Sequence, residues 1–105
     1  MPGIDLNYFI RQANKLTEKI EQRKQELANE TVEAKSGEGR VTVVANGIQE
    51  IRSIKIDKAL IDPNDTAMLE DLVTAAVNAA LTSSRELQQR ELAKISGGIK
   101  IPGIT

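Results

Sequence analysis

Between Met68 and Leu81, ten of fourteen residues are apolar, and neither Pro nor Gly interrupts them. The pattern runs without a breaker from Asn64-Asp65 to Ile95, and Gly97-Gly98 ends it. This predicts one helix over about 65–95, roughly 30 residues and near 45 Å long. Asn64 or Asp65 caps its start, and Glu70 and Asp71 suit its positive end. The chain has only 105 residues, and a compact domain of that size is about 33 Å across. The helix must therefore project beyond the body. Its first half is apolar on more than one side, which one small sheet cannot cover.

A second amphipathic helix is expected over about 5–29, capped by Asp5. Leu6, Ala13, Ile20 and Leu27 recur every seven residues, and Phe9, Ile10 and Leu16 fill the same side. Such a stripe suits packing in the chain's own core or against a partner helix.

The intervening segment, 31–57, changes period. Thr31 to Ser36 alternates polar and small apolar residues, and Gly37-Glu38-Gly39 makes a turn. Arg40 to Ala45 is β-branched and strand-like, and Asn46-Gly47 is a turn signal. A third strand spans Ile51–Asp57, with Ile54 and Ile56 on one face. Ile51 is out of phase with them, which implies a bulge near Arg52-Ser53. The reading is an α+β protomer of α-β-β-β-α order: a single domain over 1–105, with a three-stranded antiparallel sheet, two long flanking helices and a flexible tail over 97–105. Two copies that pack Met68, Leu69, Leu72, Val73, Ala76 and Ala80 together would cover the apolar helix and leave the polar helix ends as arms. A monomer whose first helix covers that face is the alternative.

The chain contains no His, Cys or Trp, and Tyr8 and Phe9 are its only aromatics. Thiolate, disulfide, zinc-finger and His-based chemistry are thereby excluded. So is the usual aromatic platform for stacking bases. Ser83-Ser84 has no His base. Asp62, Asp65, Glu70 and Asp71 lack the spacing of a calcium-binding loop and are explained by capping. Gly37-Glu38-Gly39 lacks a phosphate-loop signature. No catalytic residue, metal ligand or cofactor is expected, and no segment is apolar enough to span a membrane. A cytoplasmic protein that is not an enzyme is the expectation.

The formal charge is −1, from 14 basic and 15 acidic residues, so an anion-binding role must rest on where the charges sit. Arg11, Lys15, Lys19 and Arg23 step by four along one flank of the first helix. Residues 11–24, which include Lys24, carry five basic and two acidic side chains, and residues 85–100, with Arg85, Arg90 and Lys94, carry four and two. Three successive like-charge i,i+4 contacts cost about 0.2–0.5 kcal/mol each in an isolated helix. They suit a phosphate surface, although an ordinary solvated face has the same composition.

Several stretches carry a family resemblance. They are Ser36 to Gly47, Ile51 to Asp57, Asp62-Pro63 with Met68-Leu69-Glu70-Asp71-Leu72-Val73 and Ala75-Ala76-Val77-Asn78-Ala79-Ala80, and the tail residues Ile95 to Ile99 and Ile101 to Gly103. Together they resemble the YbaB/EbfC family of nucleoid-associated proteins. The resemblance implies a tweezer-like homodimer that binds double-stranded DNA, organises the nucleoid and modulates gene expression. It also implies DNA contacts through the terminal helices, which fall here on Arg11, Lys15, Lys19, Arg23, Lys24, Arg85, Arg90 and Lys94. Glu86 and Glu91 lie among them. The competing function is a protein-interaction adaptor whose arms grip a replication or recombination-repair protein.

Overall fold

The structure, a computed structural model, describes residues 5–97. Its elements are α1 (Leu6–Leu27), β1 (Thr31–Ser36), β2 (Val41–Asn46), β3 (Ile51–Ile56), a 3-10 turn (Lys58–Leu60) and α2 (Thr66–Ser96). The order is the α-β-β-β-α arrangement expected. The expected tail falls, apart from Gly97, outside the described residues.

The helix ends follow from capping. The Asp5 carboxylate accepts from the Tyr8 N–H, and that of Asp65 from the Met68 N–H. Gly97 ends α2 with φ 63°, a left-handed conformation that costs glycine little.

The sheet is an antiparallel meander, β1-β2-β3. Side-chain alternation puts Val41, Val43 and Ala45 on one face, where they are fully buried. Their partners Ser36, Ala34 and Val32 on β1, and Ile56, Ile54 and Ile51 on β3, share that face. The expected bulge is present: Val44 pairs with Ser53 and Ala45 with Ile51, so Arg52 is the extra residue. That extra residue brings Ile51 back into phase with Ile54 and Ile56.

α2 lies across β1 and β2. Ala76 and Ala80 are fully buried there, with Leu60 from the 3-10 turn, and Leu69, Leu72, Val73 and Val77 pack around them. This corrects two of the six dimer-interface residues. Ala76 and Ala80 belong to the protomer's own core, because their small side chains let α2 approach the sheet closely. They have no surface left to offer a second copy.

The sheet and both helices meet at the β2–β3 loop. The last carbonyls of a helix have no partner within it. Here the Gly47 N–H donates to the carbonyls of Leu27 (2.8 Å) and Glu30 (3.0 Å), and Asn46 Nδ2 to that of Ala28 (3.0 Å). The bulged Arg52 adds a guanidinium bond to the same Ala28 carbonyl, 2.7 Å. Asn46 Oδ1 accepts from the N–H groups of Ile48 and Glu50. On the other side, the Ser84 hydroxyl of α2 donates to the Asn46 carbonyl and accepts from the Gln49 N–H. Gln49 has φ 62°, a strained value for its type, and both its N–H and its side-chain amide bond Ser84. Gly47 allows no larger residue: a Cβ there would lie 2.8 Å from the Leu27 carbonyl oxygen.

Asn46 is thus a fully buried polar hub. Asn46→Ala leaves several of its partners unpaired, at about 1–3 kcal/mol for each buried group. We expect urea unfolding to show a loss of at least about 2 kcal/mol, with faster amide exchange at the C-terminal end of α1.

Candidate nucleic-acid interface

Above the hub, α1 and the second half of α2 run antiparallel as a two-helix arm. Leu27 sits at the body, Arg23 faces Glu91, and Lys19, Gln22, Arg23 and Glu26 line a shallow groove with Ile95. The principal extents are 77 × 22 × 17 Å. The radius of gyration, 20.1 Å, exceeds the about 13 Å of a compact chain of this length. The arm accounts for the excess, as the helix lengths required.

Each i,i+4 step on a helix turns by about 40°. Three such steps take the basic line from Arg11 to Arg23 through about 120°. At Arg11 the line is opposite the apolar stripe. By Arg23 it has rotated to the stripe's edge, where α2 lies. Arg11, Lys15 and Lys19 are therefore exposed, and none has an ion-pair partner among the described residues.

Arg23 departs from the expectation. Its guanidinium bonds Glu30 (2.5 Å), Glu91 (2.6 Å) and Glu26 (3.0 Å). These bonds, Glu30's first and Glu91's next, raise its pKa above the ordinary arginine value. Three carboxylates already neutralise it, so it is a clamp between α1 and α2 and not an open phosphate contact. Lys94 lies 2.5 Å from Glu91. The Lys94 and Arg23 bonds together pull the Glu91 pKa down to about 2, Lys94 contributing more. Lys24 lies on the other side of α1 from the basic line, 3.9 Å from Glu21. On α2, Arg85 and Arg90 are exposed but five residues apart, so they point about 140° away from each other.

The eight candidate cations therefore divide. Arg11, Lys15 and Lys19 form one open ridge, about 12 Å long at 1.5 Å per residue. Arg85 and Arg90 stand separately. Arg23 and Lys94 are tied into the clamp, and Lys24 is half-buried outside the ridge. The rotation was available from the sequence; the pairing with Glu30 and Glu91 was not, because both come from outside α1. Among the described residues no cluster of acidic side chains could hold a metal ion, and no helix is long and apolar enough to cross a membrane.

A family model described as the YbaB/EbfC DNA-binding family matches residues 1–99. The chain belongs to this family. It is 85% identical over 105 residues to a nucleoid-associated protein of Myxococcus xanthus, covering both chains completely. It is 50% identical over 101 residues to one of Anaeromyxobacter dehalogenans, covering 96% of this chain and 98% of that one. The fold is shared with an uncharacterised protein of Helicobacter pylori at 20% identity and a TM-score of 0.80, covering 90% of this chain and 100% of that one. YbaB/EbfC membership agrees with the resemblance read from the hairpin, the central helix and the tail. It is membership of a DNA-binding family, defined by binding and not by a catalysed reaction.

The clamp makes a pH prediction. Glu91 has a folded pKa below its ordinary value of 4.5, so its ionised form favours the native state. That contribution is complete above about pH 4.5 and is lost as the pH falls towards 2. Melting of the unaltered protein should therefore drop more steeply across that window than melting of Glu91→Gln. Parallel acid limbs would contradict the clamp.

Proposed function

We infer that this chain is a nucleoid-associated protein of the bacterial cytoplasm that binds double-stranded DNA as a homodimer, organising the nucleoid and modulating gene expression. The observation that carries this is the open ridge of Arg11, Lys15 and Lys19. No acidic residue occurs between Leu6 and Thr17, so the outer part of the arm is purely cationic in a chain of net charge −1. Arg11 and Lys15 lie beyond the end of α2, Lys19 stands at the rim of the groove it shares with Ile95, and all three can meet a phosphate backbone without displacing an ion pair among the described residues. Without aromatic stacking groups or a base-reading motif, phosphate contact and duplex shape dominate the recognition.

Dimerisation is supported by the third strand. α2 covers β1 and β2, so Ile51 and Ile54 face the core side yet stay 38% and 44% exposed. Ile61 and Met68 are exposed as well. Four large apolar side chains left open on so small a body favour burial against a second copy. The interface thus moves from the centre of α2 towards β3 and the start of α2. Met68, Leu69, Leu72 and Val73 remain candidates at its edge. Ile54→Lys should convert a particle of about twice 11.5 kDa into one of about 11.5 kDa by light scattering, with the helical circular dichroism kept.

With three ridge cations per chain, a dimer neutralises about six phosphates, which gives a slope near −5 of log affinity on log salt. Lys15→Gln removes two of those contacts per dimer. Titration of one duplex at several salt concentrations should show the slope become shallower by about 2, equally for unrelated sequences. Arg23→Gln should change the slope less, because its charge is already satisfied. A flat salt dependence in the unaltered protein would favour the adaptor that grips a replication or recombination protein.

A further inference from the structure

The apolar stripe of α1 has two unlike halves. Leu27 is fully buried, and Ile20 and Leu16 are half-buried, towards the body and the end of α2. Beyond them Leu6, Phe9 and Ile10 are 70%, 56% and 56% exposed, and Ala13 is open too. The halves lie on one continuous face of one helix. The change comes where α2 stops: Ile95 lines a groove with Lys19 and Gln22, and Gly97 ends the helix. The uncovered part begins at the level of the last described residue of α2 and runs outward.

The basic ridge lies on the other side of α1, so a duplex seated on it would leave the stripe bare. A twelve-residue helix, such as residues 6–17, is marginal in water when nothing packs on it. Something apolar is needed on this face.

We propose that the occupant is the chain's own C-terminal segment, residues 98–105, which lies outside the described residues. The chain leaves α2 beside the lower end of the uncovered stripe. From Leu16 to Leu6 the stripe rises about 15 Å, and eight extended residues reach about 26 Å. The segment Gly98-Ile99-Lys100-Ile101-Pro102-Gly103-Ile104-Thr105 contributes three isoleucines and one charge, Lys100. As a tethered partner it is present at an effective concentration that a separate molecule does not reach in dilute solution. Docking there extends the α1–α2 interface outward, stiffens the arm and holds Arg11 and Lys15 towards solvent. This does not depend on what the ridge binds.

The absence of native cysteine allows a clean test. A nitroxide placed on Thr105→Cys in the 105-residue chain should broaden the amide signals of Leu6 to Leu16 when the label and the observed nuclei are on the same chain. It should leave them sharp when labelled chains are mixed with separately observed ones. No broadening in the same-chain sample would overturn the proposal. Broadening only in the mixed sample would overturn it too, and would assign the face to a second copy. In the unlabelled protein, Ile99→Asp with Ile101→Asp should raise amide exchange across 9–17 by about tenfold while leaving 20–27 unchanged, as expected of a locally opening unit. Unchanged exchange across 9–17 would contradict the tail's role.

Discussion

The buried amide of Asn46 connects every element on which the arm depends. A β-hairpin loop has no intrinsic reason to hold two helices, and a helix C-terminus has unpaired carbonyls that water would otherwise satisfy. Here the loop's donors meet those carbonyls. Asn46, Gly47 and Arg52 all address the end of α1, while the carbonyl of Asn46 takes the hydroxyl of Ser84 on α2. Among the described residues, no buried side-chain nitrogen or oxygen lacks a partner. A polar cluster fixes orientation better than an apolar contact of equal size, because its bonds are directional. Both helices therefore leave the body at a defined place, and everything further out is set by their antiparallel run.

Charge along the arm follows from helix geometry. One line of cations at four-residue spacing serves two purposes, because it rotates by about 40° per step. Its outer members point to solvent and form the ridge. Its innermost member, Arg23, has turned into the helix–helix seam, where Glu26, Glu30 and Glu91 receive it. The acidic residues that make the whole chain negative are in part those that hold the arm together. A net charge of −1 is thus compatible with a cationic outer arm.

Much of the fold was legible in the sequence because it rests on local rules. Asp5 and Asp65 cap as expected, Gly97 ends α2, and the phase slip at Ile51 revealed the bulge at Arg52. What was not legible depends on pairs distant in sequence. Alanines in α2 serve close contact with a sheet as well as with another helix, and only the placement of α2 over β1 and β2 decides for the sheet. The same placement leaves Ile51 and Ile54 uncovered. The eight candidate DNA contacts have charge and region in common. Charge and region do not show that Glu91 lies opposite Arg23, sixty-eight residues away.

We infer that DNA meets the outer half of α1 along Arg11, Lys15 and Lys19. Amide chemical shifts recorded while a short duplex is added test it most directly. The largest changes should fall on Arg11, Gln12, Lys15 and Lys19, with β1 and the Asn46 hub unmoved. Changes concentrated on the sheet, or a duplex that leaves α1 untouched, would contradict it.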